Sequence, residues 1–391
     1  MGIWILGGRN MGYSSMDDFI RQVTINGNFF RQDWCKVNAA GTLAAKQWYL
    51  PSGAGTGGAV STFVNGLAAG ADLVFQSMCD ATVGAITPGP PVSPLTRVIL
   101  NASLYTAAAT TLPATFVLVD ILGVIPTSTA TTSGNRVIKN ANTFTCTSAT
   151  PAVFTTTGVD MSSFTRVQLS NSGGSLPGGF SAATDYWTVR TGTNTTNLAS
   201  SLDNAIAGIV LPSSSTGSGT NTSTILLPRY TDGKGVKMFV TGGGLGAATP
   251  TLQITYTNPA GTSGQVTPLP LPIGMNLSGV SGQAIVYAGN AATSQYAPFM
   301  PLAPGDNGIL SVQDINLSTS YLSGTTSWIL CKPLLSMQVT TAGIVSERDL
   351  MAQLPSMPIV QDHAYLAWIM ISDAAFANNA PFYGHLDFGW A

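Results

Sequence analysis

Between Arg229 and Asn258 the chain runs through two short stretches with a strict period of two. Val236, Met238 and Val240 alternate with Lys237 and Phe239, and Leu252, Ile254 and Tyr256 alternate with Gln253 and Thr255. Successive side chains of a strand leave opposite faces, so this spacing suits a half-buried strand and defeats an amphipathic helix. Asp232-Gly233 and Gly235 supply turn chemistry before the first run, and Gly242, Gly243 and Gly244 break the pattern after it. Pro250 opens the second run, where a missing N–H costs least. The two runs are expected to form a hairpin in a central β-sandwich.

Composition points the same way. Charged residues are 8% of the 391, against about 25% in an ordinary soluble domain. Glu347 is the only glutamate, so exposed helical faces lack one of their strongest formers. The expected fold is mainly β: a β-sandwich main domain, a small inserted all-β module and very little helix.

Charge narrows the function classes. The net charge is −2 with no basic block, and counterion displacement from nucleic acid needs clustered Lys or Arg. No nucleic-acid partner is expected. The most apolar run, Ala364 to Ile371, is far shorter than the roughly 18 residues a membrane helix needs, so no membrane partner is expected. MGIWILGG lacks a basic start and does not read as a secretory signal. Cys35, Cys79, Cys146 and Cys331 form no CxxC pair and are expected to be reduced, buried thiols.

Along the chain, Ser15 before Met16-Asp17-Asp18 predicts a helix start, and Leu43 to Leu50 another helical turn. Val74 to Met78, Val98 to Leu104 and Phe116 to Ile125 read as strands. From Thr127 to Thr224 the composition shifts to Thr, Ser, Asn and Gly. Apolar runs at 144–146, 153–154, 167–169, 186–189 and 209–211 predict five short strands there. Residues 1–134 and 225–391 are accordingly assigned to the main β-domain, with 135–224 inserted between them. Beyond it, Ile285 to Tyr287, Ile309 to Val312, Trp328 to Cys331, Met337 to Val339 and Tyr365 to Ile371 predict strands. Ser346 as N-cap, with Asp349 three residues on and Leu350, Met351 and Leu354 following, predicts a helix stopped by Pro355.

Candidate chemistry is sparse. Asp362-His363 with Ser346 or Ser356 lacks a nucleophile elbow. His385 and Asp387 share a strand face but make only two ligands. Gly7-Gly8-Arg9-Asn10 and Gly242 to Gly246 lack the Gly-Lys-Ser/Thr of a phosphate loop. Asp232 and Asp306 sit in turns and form no carboxylate pair. No enzymatic activity, cofactor or metal is expected. The tail PFYGHLDFGWA carries Phe382, Tyr383, Phe388 and Trp390, taken as possible interface anchors because buried aromatics dominate interface energetics.

The segment TFTCTSATPAVFTTTG, then GSLPGGFSAATDYWTV, then GSGTNT resembles a β-module that recurs in structural proteins of tailed bacteriophages. LPRYTDGKGV, ITYTNPAGTSG, FMPLAPGDNGILSVQ, LCKPL, ERDLMAQLPSMP and FYGHLDFGWA resemble phage virion proteins of the capsid decoration or cement type. The resemblance implies a structural virion protein that binds the outer capsid surface and stabilises the head. Its implied partners are the major capsid protein and further copies of itself, with a trimer as the expected oligomer, assembled in the host cytoplasm. A neck, tail or baseplate component is the alternative, as is a glycan- or receptor-binding virion module.

Overall fold

Alternation along the chain builds antiparallel sheets. Phe29–Val37 (β1), Trp48–Tyr49 (β2), Gln76–Ser77 (β3), Arg97–Thr106 (β4), Ala114–Thr127 (β5) and Gly134–Val137 (β6) come first. Ala141–Cys146 (β7), Phe154–Thr156 (β8), Arg166–Ser172 (β9), Asp185–Gly192 (β10), Thr195–Ala199 (β11) and Thr220–Ile225 (β12) follow. Then come Lys237–Gly243 (β13), Thr251–Thr257 (β14), Gln265–Val266 (β15), Leu271–Pro272 (β16), Ala284–Ile285 (β17) and Ser311–Leu317 (β18). Thr325–Val339 (β19), Ser346–Asp349 (β20), Ile359–Val360 (β21), Leu366–Ser372 (β22) and Pro381–Trp390 (β23) end the chain. The structure, a computed structural model, describes residues 13, 15–37, 48–51, 73–106, 113–127, 133–243, 248, 250–268, 271–272, 284–285, 298–320, 322–351, 357–375 and 380–391. Among the described residues strands take 48% and helix 6%, so the fold is mainly β. No helix among the described residues is long and apolar enough to cross a membrane.

The central sheet runs β19-β13-β17-β2-β22-β5-β3, with β19 also pairing β5. Both of its faces are buried. Phe116, Leu118, Trp328, Trp368 and Met370 point into one core, and Val119, Ile121, Phe239, Ile329 and Ile369 into a second. That is why β5 and β22 read as unbroken apolar runs rather than alternating ones. A five-stranded sheet, β1-β23-β4-β20 with β21 on β4, stacks on the first face. Phe116 of β5 meets Phe382 of β23 at 5.7 Å, and Trp34 of β1 meets Trp368 of β22 at 5.9 Å. A third sheet, β15-β14-β18-β6 with β16 on β14, contributes Leu252, Ile254 and Tyr256 to the same core.

Strands β7 to β12 close into a barrel in the order β10-β11-β8-β7-β12-β9. A chain of rings fills it: Phe144 to Phe154 at 5.1 Å, Phe154 to Phe180 at 5.0 Å and Phe180 to Tyr186 at 5.3 Å. The barrel begins at Ala141, not 135, because β6 pairs β18 in the third sheet. A closed sheet leaves no edge and carries its own core. Residues 139–227 made alone are expected to unfold in one cooperative urea transition; a gradual, uncooperative loss of signal would show that the barrel depends on the rest of the chain.

Several expectations need correction. β13 and β14 do not form a hairpin: β13 pairs β19 and β17, and β14 pairs β15, β16 and β18. Met238 and Val240 of β13 and Leu252, Ile254 and Tyr256 of β14 enter one core from different sheets, while Phe239 on the other face of β13 enters the second core. A period of two says which face is buried, not which strand lies alongside. Ser346–Asp349 is a strand, β20, not a helix start. It pairs β4 from Leu104 to Asn101, and Asp349 Oδ1 accepts from the Met351 N–H at 2.8 Å. The open edge of β4 overrides a local capping signal. Trp48–Tyr49 is strand where a helical turn was expected, while 43–47 lie outside the described residues. Ile209 to Leu211 is not a strand. The fifth run is displaced by β11 and by a short helix, Leu202–Ile206, capped by Ser201. Cys35 is exposed on β1, whereas Cys79, Cys146 and Cys331 are buried as free thiols. Burial pushes the Cys79, Cys146 and Cys331 thiols up, which suppresses thiolate chemistry at those sites. The helix predicted at Ser15 is present over Met16–Ile20 (α1), with Ser15 Oγ accepting from the Asp18 N–H. Leu202–Ile206 is α2.

Candidate functional site

The outward face of the β1-β23-β4-β20 sheet carries hydrogen-bonded polar side chains beside the Tyr105–Tyr383 ring pair. Alternation explains which residues reach it. In β23, Phe382, Leu386 and Phe388 face inward and are fully buried, so Tyr383, His385 and Asp387 face out. Strand register then sets three rows. Arg31, Asp387 and Asn101 form one, Asp33, His385, Ser103 and Glu347 the next, and Cys35, Tyr383 and Tyr105 the third.

The first two rows hold themselves together. Arg31 donates to both oxygens of Asp387 at 2.7 and 2.8 Å. Asn101 Nδ2 donates to Glu347 Oε1 at 2.6 Å. His385 Nδ1 lies 2.7 Å from Ser103 Oγ, and the His385 N–H donates to the same oxygen at 3.0 Å. The third row is apolar and open. The Tyr105 and Tyr383 rings sit 6.1 Å apart, Tyr383 is 42% exposed, and Ile344 and Val345 are 61% and 55% exposed on the turn before β20. A shallow concavity of ≈ 610 Å³ lies over Asp33, Cys35, Ser103, Tyr105, Val345 and His385.

Ser103, His385 and Asp387 have the residue types of a hydrolytic triad but not its geometry. Ser103 is buried, His385 Nε2 is 3.8 Å from Asp387 Oδ2, and both oxygens of that carboxylate are taken by Arg31. A base-orienting carboxylate must hydrogen-bond the imidazole, and 3.8 Å is beyond that reach. His385 and Asp387 do share one face, as their spacing predicts. Among the described residues no group of three or more His, Cys, Asp or Glu side chains could hold a metal ion. The arrangement suits docking: a rigid hydrogen-bonded platform with an aromatic and aliphatic border.

The other candidates are dispersed. Phe382 and Phe388 belong to the core, Tyr383 is on the open face, and Trp390 lies under the Arg97 guanidinium at 5.9 Å. Asp362 accepts from the Val92 and Ser93 N–H groups at 3.0 Å and faces Arg97, and His363 contacts Asp80 and Asp203. Ser346 Oγ donates to Gln338 O, far from them in the fold, and Ser356 lies outside the described residues. Asp232 Oδ1 accepts from the Lys234 N–H in its turn, and Asp306 anchors Tyr256 Oη at 2.6 Å and Asn258 at 2.8 Å. Gly242 and Gly243 end β13, while Gly7 to Asn10 and Gly244 to Gly246 lie outside the described residues.

Sequence reasoning missed Ser103, Tyr105 and Val345. Their signal was present in part: Asn101, Ser103 and Tyr105 alternate with the apolar Leu100, Ala102 and Leu104 of β4. Nothing in a single sequence says that β4 lies beside β23. No protein-family model matches the chain, and no curated protein matches it.

Proposed function

We propose that the chain is a structural protein of a tailed-bacteriophage virion that binds the outer capsid surface and reinforces the head. The observation that carries the reading is the outward sheet face, where Tyr105, Tyr383 and Val345 border a concavity on a braced platform. Exposed apolar patches rimmed by polar groups mark interaction sites. The resemblance of the sequence motifs to capsid decoration proteins implies the major capsid protein as partner and a trimer as oligomer. The chain covers seams between subunits and needs no reaction to do so.

Copy number in purified particles tests the reading. Hundreds of copies on the head support it, whereas six or twelve copies at one vertex assign the chain to the neck or tail. Tyr383→Ser combined with Val345→Ser is expected to leave the melting temperature nearly unchanged and to weaken capsid binding about thirtyfold, the loss of roughly 2 kcal/mol typical of a hot-spot side chain. Undiminished binding by the folded double variant would remove this face from the interface.

A further inference from the structure

His363 stands where the barrel meets the sheets. It follows β21 in left-handed backbone, with φ 59°. Its Nδ1 is 3.1 Å from Asp80 Oδ1, in the turn after β3, and its Nε2 is 3.1 Å from Asp203 Oδ1, on α2 of the barrel. The Asp80 N–H also donates to the His363 carbonyl at 3.2 Å, so the sheet side of this contact is doubly fixed. A neutral imidazole has one N–H and one lone pair. With a carboxylate at each nitrogen, only the imidazolium donates to both.

We propose that His363 is a proton-dependent clamp between the barrel and the sheets: protonated, it bridges Asp80 and Asp203, and on losing a proton it releases Asp203. The clamp is independent of the virion reading. A cleft of ≈ 410 Å³ lined by Arg97, Trp187, Leu202, Asp362 and His363 runs along the junction and gives protons access. Asp203 is 65% exposed and Asp80 only 15%, so the barrel-side contact is the one water replaces first. Among the described residues Asp362 also acts on the ring, and Arg97 Nη1 neutralises it in part from 3.2 Å, with Arg97 and Arg229 lining the same cleft.

The sign follows from these groups. Burial opposes charging the ring, but the hydrogen bond to Asp80 and the charges of Asp80, Asp203 and Asp362 outweigh it and raise the pKa above 6.5. A raised folded-state value contributes stability that is complete below the unfolded value, about 6.5, and is lost as pH rises through the folded one.

The full chain has two histidines, so the His363 ring can be followed by NMR, with His385→Gln assigning the other signal. The midpoint is expected above 6.5, and lower in Asp203→Asn than in the parent. Hydrogen-exchange protection of the α2 amides is expected to fall several-fold as pH passes the midpoint, a dependence that His363→Asn removes. Asn tolerates the left-handed backbone, so this variant keeps the local fold. A midpoint at or below 6.5, a midpoint unmoved by Asp203→Asn, or the same pH dependence of α2 protection in His363→Asn would each overturn the clamp.

Discussion

Replacing Asp120 with alanine is expected to cost the protein about 3–5 kcal/mol, the usual penalty for stranding one partner of a buried ion pair. Asp120 lies on β5 with its side chain fully buried, and Arg229 opposite is 3% exposed. Arg229 Nε and Nη2 donate to the two carboxylate oxygens at 2.9 and 2.6 Å. The guanidinium also donates to the carbonyls of Met78 and Ile121, and the Tyr365 N–H donates to Asp120 Oδ1 at 3.0 Å. The pair thus ties β5, the turn after β3, the start of β22 and the chain leaving the barrel into one node. Alanine leaves a guanidinium that is only 3% exposed without its carboxylate partner. Asp120→Leu with Arg229→Met removes both charges and should recover most of the loss. Urea unfolding with linear extrapolation measures this. A loss below about 1 kcal/mol in the single variant would mean that solvent reaches the pair.

Asp120 also shows what the sequence could and could not disclose. A lone carboxylate inside the apolar run from Phe116 to Ile125 announces a buried partner, since an isolated charge there is very costly. The sequence does not say that the partner is Arg229, because the pairing is tertiary and spans |i−j| of 109. The same limit explains the hairpin. Val236 to Val240 and Leu252 to Tyr256 are strands with the buried faces that their alternation predicts, yet their neighbours, β19 and β18, come from a later stretch. β20 failed for the opposite reason: Ser346 and Asp349 carry a real local signal, and the free edge of β4 outweighs it. The candidate face divides along the same line. Tyr383, His385 and Asp387 were legible as alternates of one strand, whereas Ser103 and Tyr105 join them only through register and Val345 only through the turn before β20.

Removing Pro381–Trp390 is expected to abolish soluble folded protein, while changing Tyr383 alone should barely affect the fold. β23 is the inner strand of its sheet, paired with β1 from Phe29 to Val37 on one side and with β4 from Arg97 to Thr106 on the other. Its deletion strands two ladders. It also uncovers the space filled by Phe382, Leu386 and Phe388, all fully buried. Truncating one such phenylalanine costs about 3–5 kcal/mol, and two of them already rival a total stability of about 5–15 kcal/mol. Gly384 sharpens the point. A Cβ there would collide with the Ser103 carbonyl oxygen and lie 2.7 Å from Trp34 Cζ2, so Gly384→Val should also fail to fold. Tyr383 faces outward, and Tyr383→Ser is expected to stay within about 1 kcal/mol of the parent. A truncation that loses capsid binding therefore reports on folding, and only the outward substitutions report on the surface. Soluble yield and a thermal melt by circular dichroism decide the matter. A truncated chain that melts cooperatively within about 2–4 °C of the parent, the shift that roughly 1 kcal/mol causes in a domain of about 150–250 residues, would show that the tail is an appendage.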